Sequence, residues 1–275
     1  MLDRGDRIVE LRPIGFVRSE HRGKKGMPPW GVAASVELRP EFAAGLLHLE
    51  KHSHIWVLAW LEFAERDLLR VTPRGVADTG PAGLHGVFAV RSPARPNPIG
   101  LTAATILGIE GATIHLDRLD FVDGTPVIDI KPYFASRDVI FSAVNRQIGK
   151  PSSREALRES LWIQALHFSG TPSGDLALGV RIIEHYRAEV LDFVEPGEWR
   201  ISVPRRRPGV IDAVMATARI TFGEGRLTFT RREAVRFLHE STAFDYELIA
   251  SSDNDASVIL AAPDSDLFEF DTFGL

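Results

Sequence analysis

The 275-residue sequence contains no cysteine. This absence excludes disulfide bridges, thiolate metal sites and a cysteine nucleophile. The sequence also lacks an uncharged apolar run of the ~20 residues that a membrane-spanning helix needs. Its first residues alternate charged and apolar side chains, which differs from the basic and then apolar pattern of a signal peptide. We therefore expect a soluble, cytoplasmic protein.

Basic charge is scarce in one part of the chain. The net charge is −5, but residues 1–150 carry 19 Lys and Arg against 17 Asp and Glu, a net charge of +2. Residues 151–275 carry 13 Lys and Arg against 20 Asp and Glu, a net charge of −7. No Lys or Arg follows Arg236. An acidic end of this kind is typical of a solvated or mobile tail. The acidity of the whole chain therefore does not exclude a nucleic-acid partner for the first part.

The composition, with 44% hydrophobic and 25% charged residues, is that of an ordinary globular protein. At ~150 residues per domain the length predicts two domains. We place them at residues 1–150 and 151–275.

The first domain reads as short strands separated by Gly and Pro turns. The expected strands are residues 8–18, 32–38, 54–63, 86–91, 101–110, 113–119 and 126–130. Residues 40–51 have helical apolar spacing behind a proline. Many short strands with one inserted helix predict a small, mainly β barrel, because closure removes exposed strand edges.

The second domain is more helical, which makes the whole chain α+β. Ser153 followed by Glu155 is typical of a helix start. Further helices are expected at residues 176–194, 208–217 and 232–241, and strands at residues 199–203 and 226–230. We expect a smaller α+β domain with an accessory role.

The first block of chemical interest reads GVFAVRSPARPNPIG, residues 86–100. Its three prolines fix φ and restrain the residues before them. A loop stiffened in this way holds Arg91, Arg95 and Asn97 at little further entropy cost, as a binding loop requires. A rigid turn with incidental arginines explains the local pattern equally well.

The second block, LDFVDGTPVIDIKPY, residues 119–133, contains Asp120, Asp123 and Asp129. Carboxylates in a cluster can bind hydroxyls or a cation, or act as bases. The Asp-Gly dipeptide favours a turn role for Asp123, while Asp120 stays open. His48, His52 and His54 lie on opposite sides of a helix–strand transition, with no Cys or carboxylate at ligand spacing, so no metal site is expected.

The two blocks together, in this order, resemble the TrmO/TsaA (YaeB-like) family, and the resemblance runs from about residue 8 to 138. It implies an S-adenosylmethionine-dependent tRNA methyltransferase on a small β-barrel, working as a homodimer with the cofactor near the subunit interface. The implied target is the exocyclic amino nitrogen of threonylcarbamoyl-modified adenosine beside the anticodon.

The resemblance also implies site residues. The cofactor contacts carried over are Glu62, Phe63, Arg91, Leu101, Arg118, Leu119, Asp120 and Phe121. Candidate substrate contacts are Arg95, Asn97, Lys131 and Tyr133, because Arg and Lys meet phosphates and Tyr stacks on bases. Asp120, Asp129 and Tyr133 are the catalytic candidates, and the acceptor of the amino proton stays open between the two carboxylates.

One loop departs from the family. A Pro-Arg-Gln-Pro-Gly loop is replaced here by GMPPWG, residues 26–31, with Pro29 and Trp30 as the cofactor-side replacements. The alternative function is therefore a cofactor-binding protein or a small-molecule methyltransferase on the same barrel.

Residues after about 153 faintly resemble the FmdE-like domains of formylmethanofuran dehydrogenase. Of the metal-binding pattern of those domains only His167 is present, and Pro172 or Ser173 and Arg219 stand where cysteines are found. The resemblance implies a domain without metal chemistry.

Overall fold

The computed structural model describes residues 8–23, 25–73, 76, 80–145, 147–196 and 198–274. The chain forms two compact units. Of the described residues, the first contains 8–73 and 80–140, and the second contains residue 76 and those from Phe141 onward. The sequence places this boundary near residue 150 instead. No helix in the described ranges combines the length and apolarity that crossing a bilayer requires.

The first unit is built on a closed antiparallel barrel, as the sequence predicts. Its strands follow the order β1-β2-β7-β6-β3-β8, and a short pair, β4 with β5, lies outside it. The strands are β1 Gly15–Ser19, β2 Val32–Leu38, β3 His54–Trp60, β4 Arg70–Val71, β5 His85–Gly86, β6 Ile99–Glu110, β7 Thr113–Leu119 and β8 Pro126–Pro132. Helix α1 follows at Ala135–Asp138.

Alternation along β3 shows how the barrel is filled. Ile55, Val57 and Ala59 are fully buried, whereas the residues between them are partly exposed. Because side chains alternate across a strand, the intervening ones lie on the outer face. That outer face, with its pairing partners on β6 and β8, carries much of the chemistry described below.

Three expectations for the first unit are wrong. The strand expected at residues 8–18 forms only at Gly15–Ser19, and residues 8–14 have no regular secondary structure. Residues 86–91 do not form a strand, since pairing ends at Gly86 and a turn closes from the Gly86 carbonyl to the Ala89 N–H at 2.9 Å. The carbonyls of Val87 and Val90 accept hydrogen bonds from the Arg95 guanidinium and not from a neighbouring strand. The helix expected at 40–51 consists of two 3₁₀ segments, Pro40–Leu46 and Leu49–Lys51, separated by His48 in a left-handed conformation, φ 69°.

The second unit packs helices against a five-stranded sheet. Its helices are α2 Arg154–Ser169, α3 Gly174–His185, α4 Pro208–Ala218 and α5 Ala256–Ala261. Its strands are β9 Ile201–Pro204, β10 Leu227–Thr230, β11 Ala234–His239, β12 Thr242–Leu248 and β13 Phe268–Gly274, ordered β10-β9-β11-β12-β13. Ser153 caps α2 through its side chain, as the sequence predicts.

Helix α3 is buried on all its faces. Every residue from Gly174 to Glu184 is buried. The helix continues through a π-helical turn at Tyr186–Val190, so only residues 191–194 of the helix expected at 176–194 lie outside it. Its charged residues Arg181 and Glu184 are as buried as its apolar ones, because they pair with opposite charges of this unit.

The acidic end of the chain is also not a mobile tail. The helix expected at 232–241 is strand β11, and the residues after it pair as β12 and β13. Asp245 on β12 is 2% exposed, and the hydrogen bond from the Arg236 guanidinium lowers the pKa of its carboxyl group. Basic and acidic side chains from neighbouring strands thus pair across the sheet, which sequence counting does not reveal.

Candidate functional site

The loop before β2 is fixed against the end of β7. Gly31 has φ +80°, and a Cβ added there would lie 2.4 Å from the Leu119 carbonyl carbon and 2.7 Å from the Asp120 nitrogen. Only glycine tolerates this approach. Trp30, half-buried, directly precedes Gly31 in the chain, and Pro29, exposed, precedes Trp30. The altered loop is thus anchored by Gly31 at the Leu119–Asp120 backbone, where the sequence expects the cofactor.

Phe121 forms the floor of this region. Its ring covers Gly100 on β6, where an added Cβ would lie 2.5 Å from the ring and 3.2 Å from Leu61. Phe121 is 3% exposed and Leu119 fully buried. Both side chains thus belong to the barrel core, and any contact they make with a ligand goes through the backbone.

Asp120 is exposed and accepts a hydrogen bond from the Thr102 hydroxyl through one carboxylate oxygen. Sequence reasoning missed Thr102. The β6–β7 hairpin pairs Ile106 with Leu116, and counting four residues along each strand brings Thr102 opposite Asp120. A bulge beside Ile106 sets this register, so the hairpin alone does not predict it.

The segment between β3 and β6, residues 61–73 and 80–98, is named here the β3–β6 lobe. Its two arms are joined by backbone hydrogen bonds from Leu61 to Pro98 at 2.8 Å, from Arg95 to Glu65 at 3.1 Å and from Val87 to Leu69 at 3.0 Å. Glu62 and Phe63 lie on the first arm, and Arg91, Arg95 and Asn97 on the second. The fold therefore brings both groups of candidates into one lobe.

Several large apolar side chains of the β3–β6 lobe are exposed. Phe63 is 70% exposed and Phe88 81% exposed, and three leucines of the lobe add to this surface. These leucines are Leu68, Leu69 and Leu84. Grouped apolar exposure of this kind marks a surface that binds a ligand or another protein.

Arg91 and Arg95 differ in what their guanidinium groups contact. Arg91 is exposed, and within the described ranges it pairs with no carboxylate. Arg95 is half-buried and donates to three backbone carbonyls of its own loop, at 2.8–3.0 Å. Arg91 is thus available to an anionic ligand, whereas Arg95 is largely engaged within the loop. Asn97 is exposed beside them.

Asp129, Lys131 and Tyr133 lie on β8 and just after it. The Lys131 ammonium is 2.6 Å from the Asp129 carboxylate, which also accepts the Ile130 N–H at 2.9 Å. The Tyr133 ring lies 5.4 Å from that of Trp56. Leu58 on β3 pairs with Leu101 on one side and Asp129 on the other, so these side chains form a row on the outer face of the barrel.

Sequence reasoning also missed a hydrogen-bonded chain on the same outer face. Asp117 accepts the Thr105 N–H at 2.6 Å and its hydroxyl at 3.1 Å, and the guanidinium of the neighbouring Arg118 lies 3.9 Å from the Asp117 carboxylate. The Thr105 oxygen lies 3.2 Å from His54 Nε2, and His54 contacts the Tyr133 ring. The chain fixes the imidazole beside the aromatic pair.

Neither metal chemistry nor a special role for Asp123 is supported by these contacts. No three His, Asp or Glu side chains converge on a common point in the part of the chain that the structure describes. Asp123 accepts the Ser19 N–H at 3.2 Å and precedes Gly124 with φ +77°, which is turn chemistry.

The arrangement at this end of the barrel fits S-adenosylmethionine. An exposed guanidinium at Arg91 suits the carboxylate of the methionine part, and exposed Glu62 and Phe63 suit a sulfonium. Trp30 and the Leu119–Asp120 backbone suit an adenine ring.

Comparison with known proteins gives the family. The family model for the tRNA-methyltransferase O N-terminal domain matches residues 16–139. A "Probable S-adenosyl-L-methionine-binding protein" of Methanothermobacter thermautotrophicus is 42% identical over 137 residues, 48% of this chain and 96% of the relative. The chain belongs to the TrmO/TsaA family. The barrel therefore carries the part that defines family membership.

Other relatives differ in how much they share. A protein of Archaeoglobus fulgidus with the same description is 33% identical over 232 residues, 81% of this chain and 61% of the relative. An alignment of this length includes part of the second unit. The "tRNA (adenine(37)-N6)-methyltransferase" of Mus musculus is 36% identical over 148 residues, half of this chain and 33% of the relative. The chain thus spans less than two thirds of both these relatives.

Proposed function

We propose that the protein is an S-adenosylmethionine-dependent methyltransferase acting on the exocyclic amino nitrogen of adenosine beside the tRNA anticodon, with the threonylcarbamoyl-modified nucleoside as substrate. The main support for this proposal comes from the end of the barrel. There the Asp120 carboxylate accepts a hydrogen bond from the Thr102 hydroxyl, and Gly31, which follows Trp30, packs against the Leu119–Asp120 backbone. The names of the relatives support both the cofactor and the tRNA target.

When bound, the cofactor would supply an electrophilic methyl group for the amino nitrogen, with its sulfonium sulfur as the leaving group. The acceptor lone pair is conjugated into the purine and is a weak nucleophile. The protein therefore accelerates transfer by aligning the two partners and excluding water. Arg91, Glu62 and Phe63 would fix the cofactor, and the aromatic Tyr133 with Lys131 and Asn97 would hold the RNA.

Asp120 is favoured over Asp129 as the acceptor of the amino proton. Asp129 is paired with Lys131 at 2.6 Å, which occupies and neutralises its carboxylate. Asp120 uses one oxygen for Thr102, and no cation of the described residues pairs with it, so the other oxygen is open to a proton. Tyr133, packed on Trp56, suits base stacking better than proton transfer.

A homodimer joined through the β3–β6 lobe accounts for the exposed apolar residues there, Phe88 above all. Covering them would also enclose the cofactor end of the barrel. Phe88→Asp should shift the protein from dimer to monomer in light scattering, whereas the exposed Val144→Asp, outside the lobe, should leave the mass unchanged. A wild-type protein that is monomeric in solution would contradict the proposed homodimer.

We place the protein in the cytoplasm, where tRNA modification occurs.

The function is tested with purified protein, methyl-labelled cofactor and tRNA that carries or lacks the threonylcarbamoyl group. Nucleoside mass spectrometry should find one added methyl on the modified adenosine only. Efficient methylation of unmodified tRNA would refute the proposed substrate.

The altered loop at Pro29–Trp30 and the acidic second unit favour one alternative, a cofactor-binding protein or small-molecule methyltransferase. It predicts cofactor binding without tRNA binding. Tight tRNA association that weakens steeply with salt would rule it out, because phosphate contacts release counterions.

A further inference from the structure

Arg95 has a set of contacts unlike those of a ligand-binding arginine. Its Nε donates to the Ser92 carbonyl at 2.8 Å, and one Nη donates to the carbonyls of Val87 at 3.0 Å and Val90 at 2.8 Å. Three of the five N–H donors of a guanidinium are thus used inside the loop. Its backbone N–H in turn binds the Glu65 carbonyl at 3.1 Å, which joins the loop to the first arm of the lobe.

These contacts surround Arg91. The carbonyls that Arg95 binds belong to residues before and directly after Arg91, so one guanidinium fixes the chain on both sides of it. Ser92 adds a local bond, since its hydroxyl accepts the Ala94 N–H at 3.2 Å. Prolines at 93 and 96 restrain the rest of the loop.

We infer that Arg95 is a positioning residue that holds the loop of Arg91 in its cofactor-binding conformation, rather than a contact of RNA phosphate. That the loop binds S-adenosylmethionine rests on the proposed function. That Arg95 holds the loop in place rests on the hydrogen bonds alone. The planar fork of arginine reaches three carbonyls at once, and the single ammonium of lysine does not.

Arg95→Lys separates the two roles because it keeps the charge and removes the fork. A phosphate contact tolerates lysine, whereas the carbonyl contacts do not. Arg70→Lys is the matched control, since Arg70 is exposed on the same lobe and its side chain makes no hydrogen bond or ion pair within the described ranges. Arg95→Gln serves as a second variant that keeps donors without charge.

Hydrogen exchange of the Ala89, Ala94 and Arg95 amides is measured on the unliganded full chain. Arg95→Lys should speed exchange at these amides, and Arg70→Lys should not. By calorimetry, Arg95→Lys and Arg95→Gln should weaken S-adenosylmethionine binding about 10-fold. The slope of tRNA affinity against salt should remain that of the wild type, because no phosphate contact is lost.

Unchanged exchange in Arg95→Lys overturns the inference. Unchanged cofactor affinity, with a tRNA salt slope reduced by about one in Arg95→Gln, also overturns it and assigns Arg95 to phosphate. A wild-type protein that binds no S-adenosylmethionine refutes the proposed function instead. The exchange measurement then still decides whether Arg95 holds the loop.

Discussion

At the residue scale, chemically similar side chains differ in what they are free to do. Asp120 and Asp129 are equal candidates in the sequence, and the structure separates them by their partners, a hydroxyl for one and an ammonium for the other. The same holds for Arg91 and Arg95. Residue type is thus predictable from motif resemblance, whereas the partner that decides its role depends on register and loop conformation.

The two carboxylates should respond differently to amide substitution. Asp120→Asn should lower kcat about 100-fold or more, as loss of a proton acceptor does. Asp129→Asn should change kcat less than about 3-fold, because its carboxylate is already paired. Single-turnover methylation measures both, and equal losses would contradict the assignment of the proton acceptor.

His185 gives the second unit a pH dependence. Burial lowers its pKa, and its Nδ1 lies 2.9 Å from the Tyr246 hydroxyl. The folded state therefore binds the proton less well than the unfolded state, whose histidine titrates near ~6.5. The resulting stability is present above that pH and is lost as pH falls below it.

This dependence can be measured by urea unfolding at pH 7.5 and 5.5. The free energy of unfolding should fall toward pH 5.5 in the wild type, and His185→Gln should make this fall smaller. If the free energy of unfolding of His185→Gln falls with pH as steeply as that of the wild type, other groups cause the pH dependence.

At the element scale, alternation along strands predicts the barrel, and β2 and β7 have the expected bounds. The limits of such sequence patterns as predictors are visible in β11. The polar neighbours of the segment AVRFLH in sequence favour a helix, yet the segment pairs on both sides in the sheet. Helix α3 shows a second limit, since its charged residues Arg181 and Glu184 do not face solvent but are buried in ion pairs with Asp264 and Arg158. Pairing partners distant in sequence decide both cases.

The contact between the Trp30 loop and β7 depends on Gly31. Gly31→Ala should lower the melting temperature and weaken cofactor binding, because its Cβ would lie 2.4 Å from the Leu119 backbone. Gly111→Ala is the control, since Gly111 also has positive φ, +61°, but open space around it. It should cost only the roughly 1–2 kcal/mol of a left-handed backbone. Equal effects of the two variants would contradict a close approach at Gly31.

A buried ionic cluster joins three elements of the second unit. Glu184 on α3 is fully buried and accepts hydrogen bonds from Arg154 at 2.8 Å and Arg158 at 2.6 Å, both on α2. Arg181 joins α3 to Asp264, just beyond α5, at 2.6 Å. Each charge of the cluster has an opposite partner, so removing one member leaves buried charges unpaired.

Glu184→Ala should therefore destabilise the protein by about 3–5 kcal/mol in urea unfolding. Glu159→Ala on the exposed face of α2 should change stability by less than about 0.5 kcal/mol. A small effect of Glu184→Ala would show that the cluster contributes little.

At the scale of the whole molecule, the uneven charge follows the two units. The candidate site lies entirely in the first unit, which contains the near-neutral part of the chain. The second unit has its own core and its own buried ion pairs, so its acidic residues have structural partners. The sequence predicts two domains and the family of the first. It does not predict that the acidic end forms strands, because the basic partners of Asp245 and Asp264 lie earlier in the chain, on β11 and on helices α2 and α3.

Methyl transfer to tRNA at the barrel end is the function proposed for this protein. The most direct measurement is nucleoside mass spectrometry of threonylcarbamoyl-modified tRNA after incubation with wild-type protein, Asp120→Asn and Asp129→Asn, each with labelled S-adenosylmethionine. We expect a labelled methyl on the modified adenosine with the wild type and Asp129→Asn, and nearly none with Asp120→Asn. If the wild-type protein binds the cofactor but leaves the tRNA unlabelled, the proposed methyl transfer is contradicted.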